Sequence, residues 1–183
     1  MQLVILDRDG VINFDSEHYI KSPEEWLALP GSLEAIHTLN QQQINTAVAT
    51  NQAGVAKGYL SLESLYAIHQ KLRDELAAMN AHLDAIFYCP HHPDQHCSCR
   101  KPQPGLLFQA LEHFHMSSDQ ACMVGDSLRD IQAARAAQCE AILVLTGNGE
   151  KTWANHKTEL GDIAVYDNLL SFAEQHLSRK TTC

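Results

Sequence analysis

LVILDRDG, residues 3–10, is four apolar residues followed at once by Asp7, Arg8, Asp9 and Gly10. An apolar run without alternation has no solvent face, so it reads as a strand covered on both sides. Similar runs recur at TAVA (46–49), AIFY (85–88), ACMV (121–124) and AILVL (141–145), with a weaker one at IAVY (163–166). Helical periodicities lie between them. Leu33, Ile36 and Leu39 mark one, and Leu62, Leu65, Ile68, Leu72 and Leu76 mark another; segments 106–114, 131–137 and 169–177 supply the rest. Pro30-Gly31-Ser32 and Ser61 are the expected start signals of the first two. Strands alternating with helices predict an α/β fold, a doubly wound parallel sheet of Rossmann-like type, with residues 1–183 forming one domain.

In such sheets the ligand crevice lies beyond the carboxyl ends of the strands. The apolar runs end at Asp7, at Thr50-Asn51, at Cys89 and at Gly125-Asp126. Parallel strands would therefore bring Asp7, Thr50 and Asp126 to one crevice despite their separation in sequence. Asp7-x-Asp9-Gly10 places two carboxylates two residues apart before a glycine that permits a sharp turn, an arrangement able to share a cation. A calcium loop in this register fails, because Ile12 stands where glycine is required and His18 where the bidentate glutamate belongs.

Composition narrows the classes. With 45% apolar residues the chain can bury a core, and a formal charge of −9 disfavours a nucleic-acid partner. The N-terminal apolar run is too short for a secretory leader, and no stretch approaches the ~18 apolar residues of a membrane helix. A cytoplasmic, reducing location is expected, with no membrane partner, so the six cysteines are read as thiols rather than disulfides. No exposed apolar stripe is evident, and a monomer is expected.

The interval CPHHPDQHCSCRKPQPG (89–105) breaks the α/β pattern, with four prolines and no period. A loop that long is functional or tied down. Cys89, His91, Cys97 and Cys99 offer three thiolates and an imidazole, the donor set of a closed structural Zn²⁺ site; His92 and His96 are rival fourth ligands. Such an ion would fix the loop that delivers Arg100 and Lys101 to the crevice. Cys122 and Cys139 read as core residues and Cys183 as an inert terminal thiol. His37, His69 and His113 read as exposed helix residues.

LDRDGVI (6–12), ATN (49–51), RKP (100–102) and GDSLRD (125–130), taken in order, resemble the four motifs of the haloacid dehalogenase superfamily of phosphatases. The resemblance implies a haloacid dehalogenase type of fold and an aspartyl-phosphate mechanism. Asp7 would be the nucleophile, Asp9 the general acid and then base, and Thr50 and Lys101 the groups holding the transferring phosphoryl. Asp7, Asp126 and the backbone carbonyl of Asp9 would bind Mg²⁺. Asp130, one helical turn after Asp126, would orient a metal-bound water or simply start a helix. Ser127 departs from relatives that carry lysine there, which removes a cationic contact.

LDRDGVIN (6–13), ATNQAGVAKGY (49–59) and the cysteine loop narrow the resemblance to zinc-loop sugar-bisphosphate phosphatases without a large cap domain. These serve the synthesis of nucleotide-activated heptose for lipopolysaccharide or related glycans. A small phosphorylated sugar is then the expected substrate, with Asp15, His18, Asn51 and Arg100 its candidate contacts and Lys57 a further one for a distal phosphate. Histidinol-phosphate phosphatases share the loop and are the nearest alternative. A phospho-acceptor module is the alternative of another class, and Asp9 argues against it, because a persistent phosphoaspartate gains nothing from an adjacent base.

Overall fold

The computed structural model describes residues 1–180, with side chains through residue 175; Cys183 lies outside the described residues. Six parallel strands, β1 (Leu3–Leu6), β2 (Asn45–Asn51), β3 (Ala85–Cys89), β4 (Ala121–Gly125), β5 (Glu140–Val144) and β6 (Ala164–Tyr166), form one sheet in the order β3-β2-β1-β4-β5-β6. Connecting helices are α1 (Ser32–Gln41), α2 (Ala53–Ala56), α3 (Leu62–Ala78), α4 (Gly105–His113), α5 (Leu128–Ala136), α6 (Gly149–Leu160) and α7 (Leu169–Lys180).

The continuous apolar character of β1 has the expected cause. Val4 and Leu6 point into a core shared with Ile36, Leu39, Leu65, Leu72 and Phe172, from α1, α3 and α7. Leu3 and Ile5 point to the other face, against Leu106, Leu107, Ala110, Ala133 and Ala134 of α4 and α5. All four strand residues are fully buried. Each such side chain withdrawn from water contributes about 1.5–3 kcal/mol, so a polar substitution on either face of β1 is costly.

Strand order reverses beside β1: β2 lies on one side of it and β4 on the other. Leu6 is level with Val124 in the β1–β4 register, and the Asp7 N–H donates to the Val124 carbonyl at 2.9 Å. The first residues past both strands are thereby neighbours at the switch point, where doubly wound sheets bind ligands.

The Pro30-Gly31-Ser32 signal starts α1 as expected: Gly31, at φ 80°, holds the capping position, and the hydroxyl of Ser32, the first helical residue, donates to the Ile12 carbonyl at 2.6 Å and ties the helix to the loop after β1. Helices α2 and α6 carry little periodic signal: α6 buries only Gly149, Thr152 and Leu160, and half-buried Trp153 flanks them. His69 is not on an exposed face. It is buried on the inner side of α3, against Tyr88 and Arg8. Ser61 does cap α3, accepting from the Ser64 N–H. His113 is exposed as expected, and Cys122 and Cys139 are buried.

Candidate active site

The carboxyl ends of β1, β2 and β4 and the loop after β3 enclose a pocket of about 170 Å³ lined by Asp7, Asp9, Thr50, Arg100, Lys101 and Asp126. Asp7 is 9% exposed. It accepts the N–H of Arg8 at 2.7 Å and pairs with Lys101 Nζ at 2.9 Å. The same ammonium is 2.7 Å from Asp130, which has no exposed surface. Asp130 also closes a capping box at the start of α5, accepting from Ser127 N–H and hydroxyl at 3.0 and 2.5 Å. Of the two roles expected for it, the helix-start acid is the one observed: one oxygen caps the helix while the other pairs with Lys101.

Asp126 accepts from the Asn148 N–H at 2.7 Å, and its carbonyl accepts the Thr152 hydroxyl at 2.9 Å. Gly10 and Gly147 both take positive φ, and a side chain on either would collide with the Asp126 carboxylate. The glycine after Asp9 thus serves a close approach as well as a turn.

Ligand oxygens of Asp7, Asp126 and Asp130 lie within 4.8 Å of one another. Three buried carboxylates against one ammonium leave an excess of negative charge. Burial, with Asp130, Asp126 and Asp9 close by, pushes Asp7 up to about 8 despite Lys101. Burial and Asp130 push Asp126 up to about 6. An all-oxygen donor set in which Asp7 and Asp126 resist ionisation suits a hard divalent cation such as Mg²⁺, which takes one or two carboxylates and keeps positions for water and phosphate.

A pH dependence follows. Both groups bind a proton more tightly in the folded chain than at the ordinary aspartate value of 3.8. Between about pH 4 and pH 8 the folded chain therefore carries more protons than the unfolded one, and its stability falls as pH rises. A bound cation removes that penalty. The increase in melting temperature on adding Mg²⁺ is expected to grow between about pH 5 and pH 8. Thermal melts with an increment independent of pH would mean that both carboxylates ionise unaided.

Asp9 is held differently. Its Oδ1 accepts from Asn13 Nδ2 at 2.8 Å and from Arg8 Nε at 3.1 Å, and its Oδ2 accepts from Gln52 Nε2 at 3.0 Å. Burial alone would raise its pKa, but Arg8, Asn13 and Gln52 outweigh it and hold the carboxyl below the usual range. Thr50 is buried and accepts from Gln52 Nε2 at 2.9 Å.

The remaining expected contacts divide. Asp15 lines the pocket and accepts from Asn148 Nδ2 at 3.2 Å. Asn51 lines it too, yet its side chain clasps the backbone of Lys101, donating to the carbonyl at 3.0 Å and accepting from the N–H at 3.1 Å. Arg100 turns a shielded Nη1 with no hydrogen-bond partner among the described residues. His18 is exposed and lies outside the pocket, in a hollow with Glu17 and Tyr59. Lys57 is also outside, 5.5 Å from the centre of the Tyr19 ring. Reading the sequence for strand-end chemistry missed Arg8, Asn13 and Asn148. Arg8 sits between two residues already assigned, and Asn148 follows the end of β5, where the GNG tripeptide (147–149) was the available signal.

In the loop, ligand atoms of Cys89, His91, Cys97 and Cys99 cluster within 4.8 Å of one another. Sulfur–sulfur separations are 3.6, 3.2 and 3.4 Å, and His91 Nδ1 is 3.5 Å from Cys89 Sγ and 3.2 Å from Cys99 Sγ. A tetrahedral ion with metal–sulfur bonds of about 2.3 Å needs sulfurs roughly 3.8 Å apart, close to these values. Burial and its two thiol neighbours push Cys99 up to about 12, so three thiols this close do not ionise together without a cation among them. His92 is occupied otherwise, capping the 3₁₀ turn Pro93–Gln95 through its side chain, and His96 is that turn's left-handed end. The cluster can hold a metal ion, with His91 the imidazole.

Sheet order, the Asp7–Asp9 turn and the buried Lys101 at the switch point define a haloacid dehalogenase-like hydrolase, and a HAD-hydrolase-like family model matches residues 98–172. The chain is 49% identical over 177 residues to the D-glycero-beta-D-manno-heptose-1,7-bisphosphate 7-phosphatase of Bordetella bronchiseptica, covering 97% of this chain and 98% of that protein. Its counterpart of the same name in Pseudomonas aeruginosa is 46% identical over 171 residues, covering 93% and 95%. The crystal structure of D,D-heptose 1,7-bisphosphate phosphatase from B. bronchiseptica, complexed with magnesium and phosphate, matches with a TM-score of 0.92 at 47% identity, over 98% of this chain and 99% of that one. The chain belongs to this family of heptose-bisphosphate phosphatases within the haloacid dehalogenase-like hydrolases. Among the described residues no helix is long and apolar enough to cross a membrane.

Proposed function

We propose that the chain removes the 7-phosphate from D-glycero-beta-D-manno-heptose 1,7-bisphosphate, in the supply of nucleotide-activated heptose for lipopolysaccharide or related glycans. The observation that carries this reading is the convergence of Asp7, Asp9, Lys101 and Asp126 on one pocket in a chain alike, end to end, to enzymes of that name. Asp7, Asp126 and the carbonyl of Asp9 hold Mg²⁺, which when bound offsets the repulsion between Asp7 and a phosphate dianion.

Asp7 attacks phosphorus, the bond from phosphorus to the sugar oxygen breaks, and Asp9 gives its proton to that oxygen. Water then attacks the aspartyl-phosphate, Asp9 takes the proton back, and inorganic phosphate leaves as the Asp7 carboxylate is restored. The contacts that keep Asp9 ionised in the free chain suit it as the base of the second step. A phosphate dianion arriving beside it raises its affinity for the proton needed in the first. Lys101 and the Thr50 hydroxyl hold the transferring oxygens. Asn51 registers Lys101 through its backbone, and the unpartnered Nη1 of Arg100 is available to the distal phosphate. Cys89, His91, Cys97 and Cys99 hold Zn²⁺ and secure this loop, and the reduced thiols fit a cytoplasmic setting.

The substrate assignment is checked by kinetics. Heptose 1,7-bisphosphate is expected to give a kcat/KM at least about a hundredfold above that of histidinol phosphate, because a substrate without the second phosphate leaves the polar groups that would bind it unpaired. The reverse order would select the histidinol-phosphate reading instead.

A further inference from the structure

Arg8 stands between the two catalytic carboxylates and points away from the pocket, into the protein. It is 1% exposed, and an arginine so buried requires partners. Its guanidinium grips the Asp9 carboxylate through Nη2 to Oδ1 at 2.9 Å, Nη2 to Oδ2 at 3.0 Å and Nε to Oδ1 at 3.1 Å. Its remaining nitrogen, Nη1, meets Nε2 of His69 at 3.4 Å. His69 comes from the middle of α3, 61 residues along the chain, and is 6% exposed. Its ring stands against Tyr88 of β3, with centroids 6.0 Å apart.

A histidine facing a guanidinium must present a lone pair, which requires the neutral ring with its proton on Nδ1. Burial and the charge of Arg8 depress the His69 pKa to about 3, so the neutral form persists at physiological pH. The result is a directional chain: His69 accepts from Arg8, and Arg8 donates to both oxygens of Asp9. Asn13 and Gln52 complete the set of donors around that carboxylate. A planar fork fixed at its far side confines the plane of the carboxylate, where a lone ammonium would not.

We propose that His69 and Arg8 are positioning residues for the reaction, a brace that runs from α3 to Asp9 and aims its carboxyl at the oxygen that leaves phosphorus. The inference rests on the reading of Asp9 as general acid, and goes beyond it by extending the machinery to a helix residue outside the pocket. Neither residue touches substrate. A general acid must lie along the line of proton transfer, and displacement by about 1 Å costs on the order of a hundredfold. Without the His69 acceptor, Nη1 of Arg8 is left buried and unpaired, and the guanidinium is expected to turn toward other acceptors, taking Asp9 with it.

The test uses the dependence of kcat/KM on the leaving group, which reports steps up to departure of the first product. A sugar alkoxide needs a proton as it leaves, whereas a nitrophenolate does not. For His69→Leu, kcat/KM with heptose 1,7-bisphosphate is expected to fall on the order of ten- to a hundredfold, and with p-nitrophenyl phosphate to fall less than about threefold. His69→Gln, whose amide oxygen can accept from Arg8, should recover most of the loss. Arg8→Met is expected to show the same selectivity more strongly, with phosphate affinity and the melting temperature recorded to confirm a folded site. Asp9→Asn is the control. If it loses both substrates equally, the acid reading of Asp9 itself fails. If Asp9→Asn is selective for the sugar substrate but the His69 and Arg8 variants lose both substrates in proportion, or lose neither, the brace is overturned and the pair is only part of the core.

Discussion

Asp7→Asn is expected to abolish turnover, with a loss on the order of 10⁴-fold or more, while the protein keeps its fold. The carboxamide is nearly the same size, so β1 and its register are undisturbed, but it is a far poorer nucleophile toward phosphorus and cannot form the aspartyl-phosphate. The variant is not expected to be less stable. Asp7 is buried among Asp126, Asp130 and Asp9, and burial pushes its carboxyl up to about 8, so neutralising it relieves repulsion in the metal-free chain. A lower kcat with an equal or higher melting temperature is the signature to look for. Asp9→Asn should lose about 10²–10⁴-fold, the usual contribution of a general acid, because the pocket and nucleophile remain. Steady-state kinetics decide the matter, and turnover near wild type in either variant would remove the two-carboxylate mechanism.

The second large effect is expected from the loop. Cys99→Ser, or exhaustive chelation, should take the bound zinc from about one per chain to near zero by elemental analysis. Loss of a structural ion costs on the order of 4 kcal/mol, or about 8–16 °C in melting temperature for a chain of this size. Activity should fall with the zinc and should not return when Mg²⁺ is supplied in excess. The reason is geometric: Lys101 follows Cys99 by two residues and must reach Asp7 at 2.9 Å and Asp130 at 2.7 Å from a loop with little other regular structure. Among its other anchors are the Asn51 clasp, the Ala56 N–H donating to the Pro90 carbonyl at 3.2 Å, and the Gly105 N–H donating to the Ser98 carbonyl at 3.1 Å. Zinc-free protein with unchanged kcat would show that those anchors suffice.

Much of this architecture is legible in linear order because its signals are local. Unbroken apolar runs mark strands covered on both faces, and each of the six anticipated runs coincides with a strand of the sheet, with only Leu145 and Ile163 falling just outside β5 and β6. The helices that announced themselves, α1, α3, α4, α5 and α7, bury an apolar stripe; α6 does not, since Thr152 and glycine occupy positions where aliphatic residues usually mark a buried face. Asp7, Thr50 and Asp126 could be grouped because parallel strands carry their carboxyl ends to one edge, and Lys101 joined them through the RKP motif at the end of the cysteine loop. His18 and Lys57 were placed by proximity in sequence to the nucleophile turn and to Thr50, and proximity along a loop does not fix direction. Neither residue is among those lining the pocket; Lys57 lies instead over the ring of Tyr19, which is.

His69 shows the limit most clearly. Along α3 it reads as one polar residue between Ile68 and Gln70, and helical periodicity alone cannot tell a solvated histidine from one buried against a guanidinium. Its role depends on Arg8 arriving from β1, a contact that exists only once the helix is laid on the sheet. The sequence by itself determined the order of strands and helices, the donor types at each strand end and the thiol set of the loop. These follow from hydrophobic period and from the chemistry of single residues. Only the tertiary structure decided which donors share a partner: Lys101 between Asp7 and Asp130, Asn51 on the Lys101 backbone, and His69 behind Arg8. Those pairings are set by the packing of distant segments to within a few tenths of an ångström, a quantity that no local pattern of residues encodes.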